Sequence, residues 1–151
     1  ALINLGHISN AEAKIGSCDD PILLGTTISE TGPFSTLTDR WRQMTEIFFE
    51  ELNKDGGIFV KDCNKKLPVK ILFYDDQSNP STAVSLFERM ATVDNVDFFV
   101  GPDWTSLGLP VPTISEKHKI PLVAANVSTP SAYQRGFKYM WGTPYPIVPL
   151  W

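Results

Sequence analysis

Five short apolar runs, bounded by turn residues and separated by segments of helical period, constrain this chain more than any other feature. They fall at residues 22–28, 69–74, 98–100, 122–125 and 137–141. Between the first two, Leu37, Trp41, Met44, Phe48 and Leu52 recur every three or four positions, one face of a helix over 36–54. Asp55-Gly56-Gly57 ends that helix, because glycine takes the left-handed cap conformation without strain. Residues 58–66 are polar and suit a small hairpin. Asn79-Pro80 opens a second helix, with Asn capping the free N–H groups and Pro tolerated at the first position. Its apolar face is Ala83, Leu86, Phe87, Met90 and Ala91. The segment 106–118 carries Pro110 and Pro112. An interior proline costs about 3 kcal/mol, so a late start or a kink is expected there. A helical turn follows near 130–134. Repeated βα units with nearly continuous apolar strands predict an α/β fold: a parallel sheet with helices on both faces.

At 151 residues the chain is the size of one ordinary domain. Thirteen Lys and Arg against seventeen Asp and Glu leave a net charge of −4, which offers no electrostatic case for nucleic acid. No run of about 18 apolar residues is present to span a membrane. Residues 1–20 are expected to form an N-terminal arm or the remnant of an export signal. Ala11-Glu12-Ala13 has the small-x-small pattern of a signal-peptidase site, and a plain disordered arm is the competing reading. Ile15-Gly16-Ser17-Cys18 loosely resembles a lipoprotein cleavage box, but the sequence before it is too polar for a good apolar h-region; the export reading gives an expected location that is periplasmic or extracellular, with a membrane anchor left open. Residues 21–143 form the α/β domain. Residues 144–151 include three prolines, end on Leu150-Trp151, and read as a continuation towards further structure. Cys18 and Cys63 are an even pair outside any CxxC or Cys/His cluster, which makes them a disulfide candidate in an exported protein, with two free thiols as the other possibility.

Ligands of open parallel sheets bind beyond the carboxyl ends of the strands. The polar loops expected there are 29–32, 75–78, 101–106 and 126–129. In two of them, Thr105/Ser106 and Ser128/Thr129, hydroxyls meet the starts of helices, where free N–H groups favour an anion. Simple N-capping is the competing role. No catalytic set stands out, and no cofactor is expected. His7 lies in the arm and His118 at a helix end, both expected to be solvated. Asp75 and Asp76 are adjacent on an extended segment and point to opposite sides, so their expected role is to hold loop N–H groups. Neither a Walker-type nor a GxGxxG loop is present.

Several ordered segments resemble the branched-chain amino-acid-type binding proteins of ABC importers. They are LLGTTISETGPF at 23–34, EELNKDGGI at 50–58, VKILFYDDQSNPSTAV at 69–84, VDFFVGP at 96–102, KIPLVAA at 119–125 and RGFKYMWGT at 135–143. The resemblance implies a Rossmann-like first lobe of a type I periplasmic binding protein, a binder and not an enzyme. It implies a small-molecule ligand (amino acid, aromatic acid or amide), a second lobe of the same chain that closes over it, and an ABC permease as partner. A ligand-sensing ectodomain of a receptor or regulator with the same fold is the alternative. By residue, it implies that Thr105 and Ser128 hold a ligand carboxylate and that the Asn126 carbonyl meets an ammonium. Val127 lies between these in the same loop, and Ser29 stands at the cleft edge. Trp104 stands where the family often has a small or hydroxyl residue, and Asp103 where it often has an aromatic. Trp104 offers a wall for a flat ligand, and Asp103 would repel a carboxylate if it points inward.

Overall fold

The computed structural model describes residues 16–38 and 40–143. The expectations for the arm and for 144–151 lie wholly or mainly outside them. The elements run β1 (Ile22–Ile28), α1 (Ser35–Thr38), α2 (Trp41–Lys54), β2 (Ile58–Val60), β3 (Lys65–Leu67), β4 (Val69–Asp75), α3 (Pro80–Thr92), β5 (Phe98–Val100), α4 (Thr105–Gly108), α5 (Pro112–His118), β6 (Leu122–Ala124), α6 (Pro130–Tyr133) and β7 (Met140–Gly142). β4, β1, β5, β6 and β7 form, in that order, a five-stranded parallel sheet. β2 and β3 pair as a separate antiparallel hairpin.

The strand boundaries follow the apolar runs closely, except at the last. β7 is confined to Met140–Gly142, because the N–H groups of Lys138 and Tyr139 donate to the Glu116 carboxylate of α5 instead of to a neighbouring strand. The helical segment holding both prolines is broken. α4 ends at Gly108, and α5 restarts with Pro112 in its first turn, where the missing N–H costs nothing. At α2, Gly56 and Gly57 take φ of +87° and +85° and return their N–H groups to Asn53 and Leu52. A Cβ on Gly57 would lie 2.0 Å from the Leu67 carbonyl oxygen, so this turn into the hairpin admits glycine alone. Asn79 Oδ1 accepts from the N–H groups of Ser81 (2.8 Å) and Thr82 (3.1 Å), which caps α3. Asn79→Ala is expected to cost about 1 kcal/mol in guanidinium unfolding.

One face of the sheet is covered by α3, α4 and α5. Its core is Phe87, Met90, Phe99, Val111, Leu122 and Val127, with Phe87 and Phe99 edge to face at 5.0 Å. The other face is covered by α2 near β4, where Phe49 and Leu52 pack with Ile22, Leu24 and Val69. The expected apolar stripe of α2 is only partly used. Leu52 packs inward, while Leu37 on α1 and Trp41, Met44 and Phe48 on α2 stand exposed. Trp41, Met44 and Phe48 flank an open groove shared with Ile71 of β4 and Val100 of β5.

Cys18 and Cys63 are joined in a disulfide that ties the segment before β1 to the hairpin. A cysteine so bonded is not a lipidated one, which removes the anchor suggested by the lipoprotein-like box. His118 is not freely solvated as expected. Its Nε2 lies 2.9 Å from Glu88 Oε1, a carboxylate also held by Lys117 Nζ at 2.6 Å, and this links α5 to α3. The hydrogen bonds from Lys117 and then His118 hold the Glu88 carboxyl below its ordinary range.

Candidate functional site

The chain steps from β1 to β4 on one side, then crosses back over β1 to β5 on the other. The loops leaving β1 and β5 therefore diverge at their carboxyl ends, and such a switch point opens a crevice. Phe34, from the loop after β1, and Trp104, from the loop after β5, meet across it with ring centroids 5.0 Å apart and planes tilted by 30°. Beside them opens a cavity of about 360 Å³ lined by Asp103, Trp104, Thr105, Ser106, Asn126 and Ser128. That is the low end of the range for small-molecule sites.

Six of the residues singled out in the sequence converge here: Asp103, Trp104, Thr105, Ser106, Asn126 and Ser128. The Ser128 N–H donates to Thr105 Oγ1 at 3.3 Å, so the two hydroxyl residues are side by side on one rim. Neither α4 nor α6 has a side-chain cap, so these hydroxyls are not spent on capping. Both helices have only four residues, which leaves the hydroxyls and loop N–H groups, not a helix dipole, as the polar equipment.

Ser29 and Val127 do not line the cavity. Ser29 is 1 % exposed, and its Oγ donates to Asp76 Oδ1 at 2.7 Å, beneath the rim instead of at its edge. Val127 is fully buried in the core under α4 and α6, because the alternation of an extended segment turns it inward between Asn126 and Ser128. Phe34 was not singled out. Its only signal in the sequence was an aromatic in a loop at a strand end.

The two acids after β4 hold backbone. Asp75 accepts from the N–H groups of Glu30, Thr31 and Gln77 and from the Thr31 hydroxyl. Burial pushes its pKa up, but these hydrogen bonds outweigh burial and leave it below the ordinary value. Asp76 accepts from Ser29 Oγ and the Ser78 N–H. Together they stitch the loop after β4 to the loop after β1.

Asp103 is 8 % exposed, and its Oδ2, like the Oδ2 of the fully buried Asp76, meets no donor among the described residues. Burial and the neighbouring Asp76 carboxylate push its pKa from the ordinary 3.8 up to about 6. The adjacent Trp104 Nε1 is likewise buried without an acceptor. Asp103 also borders a small space of about 50 Å³ shared with Thr26, Trp41, Thr45 and Phe73.

An open parallel sheet of order β4-β1-β5-β6-β7 thus carries a cavity lined by polar residues at its switch point, the place where sheets of this kind bind ligands. The chain belongs to the periplasmic binding protein family, whose sequence model matches residues 21–147. It is 26 % identical over 131 residues to the leucine-, isoleucine-, valine-, threonine- and alanine-binding protein of Pseudomonas aeruginosa, covering 87 % of this chain and 33 % of that protein. It is 25 % identical to the Leu/Ile/Val-binding protein BraC3 of Rhizobium johnstonii, covering 76 % of this chain and 29 % of that one. The chain thus spans about a third of the length of the curated relatives it matches. The fold superimposes on the isoleucine-bound branched-chain amino acid transporter substrate binding protein LivJ of Streptococcus pneumoniae, with TM-score 0.72, 20 % identity, and coverage of 83 % of this chain and 34 % of that one. It also superimposes on a solute binding protein of R. palustris in complex with 4-hydroxybenzoate, with TM-score 0.65, 20 % identity, and coverage of 83 % and 32 %.

Proposed function

We propose that this chain is the first lobe of an extracytoplasmic solute-binding protein that captures a small polar solute for an ABC importer. The solute is an amino acid, an aromatic acid or an amide, and a second lobe of the same protein closes over it. The single observation that carries this reading is the pairing of Thr105 and Ser128 at the open mouth of the 360 Å³ cavity, with their hydroxyls free of capping duty. In this reading those hydroxyls hold a ligand carboxylate, and the Phe34–Trp104 pair flanks the ligand body. The relatives support it, being named for amino acids and, in one solved structure, holding an aromatic acid. The Cys18–Cys63 disulfide agrees with an oxidising compartment. Among the described residues, no helix is long and apolar enough to cross a membrane.

A one-sided rim cannot bury the roughly 70–90 % of a ligand's surface that tight sites enclose. Binding therefore favours the closed form only when the second lobe is present. A thermal-shift screen of the full-length protein against amino acids, aromatic acids and amides should give a hit, because a ligand of the native state raises apparent stability. For that hit, hydrogen bonds to a charged group are worth about 1.5–3 kcal/mol each. Thr105→Ala and Ser128→Ala should then each weaken calorimetric affinity by about 10- to 100-fold. Unchanged affinity in both variants would remove the carboxylate clamp. Tight binding by the isolated 151-residue chain would contradict the two-lobe mechanism.

A further inference from the structure

Resting on the reading of the chain as a solute-binding lobe, we propose that Asp103 binds a protonated nitrogen of the ligand, so that the site selects amine-, amidine- or guanidine-bearing solutes over their nitrogen-free counterparts. Asp103 is more than nine-tenths buried, borders the ligand cavity, and leaves one carboxylate oxygen with no donor. A buried charge without a partner is costly, and proteins pair such charges or bring a counter-ion to them. The described residues supply no such partner. Asp103 makes no ion pair with them. Arg42 lies 4.9 Å over the Phe73 ring that borders the small space next to Asp103; its Nη2 pairs with Glu30 at 2.7 Å, its buried Nε has no acceptor among the described residues, and no ion pair joins it to Asp103. The neighbouring acid, Asp76, adds negative charge; its Oδ1 accepts from Ser29 and Ser78, and its buried Oδ2, like that of Asp103, meets no donor among the described residues.

The surroundings therefore favour a cation from outside. Trp104 lines the same cavity with its ring packed against Phe34, and aromatic rings attract ammonium and guanidinium groups. The small space of about 50 Å³ is roomy enough for a water molecule. Water would satisfy hydrogen bonding there, but it leaves the charge unbalanced. A zwitterion fits the whole rim: its nitrogen faces Asp103, and its carboxylate faces the Thr105 and Ser128 hydroxyls on the same cavity wall.

The test is calorimetry on the full-length protein and its Asp103→Asn variant. The probes are L-leucine, L-phenylalanine and L-arginine. Their amine-free counterparts are 4-methylpentanoate and 3-phenylpropionate, and their carboxylate-free counterparts are phenethylamine and agmatine. The proposal expects at least one nitrogen-bearing probe to bind the wild-type protein at least 10-fold more tightly than its amine-free partner. Asp103→Asn, with a native circular dichroism spectrum, should lose at least 10-fold on that probe and bring the ratio near one. Two results overturn the role of Asp103 while leaving the solute-binding reading standing: equal wild-type affinity for amine-bearing and amine-free probes, or an Asp103→Asn protein that binds the nitrogen-bearing probe as tightly as wild type. Failure of every probe to bind the wild-type protein overturns both.

Discussion

Replacing Cys18 and Cys63 by serine is expected to lower the unfolding free energy by about 4 kcal/mol. The bond closes a loop with a sequence separation of 45 residues. In the chain-entropy description, a loop of that length restricts the unfolded ensemble by about 4 kcal/mol. Little in the folded state compensates. The same two segments share the Lys65–Asp19 ion pair at 3.1 Å, but its groups are solvent-exposed and such pairs are worth at most about 1 kcal/mol. Guanidinium unfolding of the oxidised protein and of the double variant measures the difference. A loss below about 1 kcal/mol would mean that the joined segments stay together in the unfolded state without the bond.

Asp103→Asn is expected to stabilise the unliganded protein at pH 7.5 by up to about 3 kcal/mol and to leave it nearly unchanged at pH 4. Folding raises the pKa of this carboxyl from 3.8 to about 6, so the folded state binds a proton more readily than the unfolded one. The stability contributed by the protonated group is fully present below 3.8 and is lost as pH rises through about 6. Above that, the folded protein carries a buried charge whose cost follows from the shift, roughly 3 kcal/mol. Asparagine has nearly the same shape and no charge, so it escapes the penalty only where aspartate is ionised. Paired melting temperatures of the two proteins at pH 4 and pH 7.5 read this directly. A variant equally stable or less stable than wild type at both pH values would show that Asp103 is already compensated in the native state. Gained stability with lost binding is the expected trade at a residue shaped for a ligand.

Much of this fold was legible because local chemistry and global architecture agree. The apolar run of β1, the Asn79-Pro80 start of α3, the glycine pair after α2 and the interruption by proline between α4 and α5 each follow from local chemistry, and the structure shows all four. The side-by-side placement of Thr105 and Ser128 was also legible, since both follow neighbouring strands of a parallel sheet. Less was legible wherever direction depends on distant partners. Periodicity marked Trp41, Met44 and Phe48 as an apolar stripe, but it could not say that α2 lies near the β4 edge and leaves them open. Ser29 sits in a polar loop, yet Asp76, far along the chain, draws it beneath the rim. The burial of Asp103 ran against expectation, because aspartate is rarely buried without a partner. The contact of Phe34 with Trp104 exists only once the crossover over β1 brings two divergent loops together.

The disulfide and Asp97 lie at the end of the sheet opposite the cavity. Asp97 precedes β5, and its carboxylate accepts from the N–H groups of Gly16 (3.0 Å) and Leu23 (2.8 Å). The polypeptide is thus clamped at the floor of the lobe before β1 rises through its seven residues, about 23 Å, towards the mouth. Any attachment made through the residues ahead of Gly16 pulls on the floor and leaves the mouth of the cavity clear.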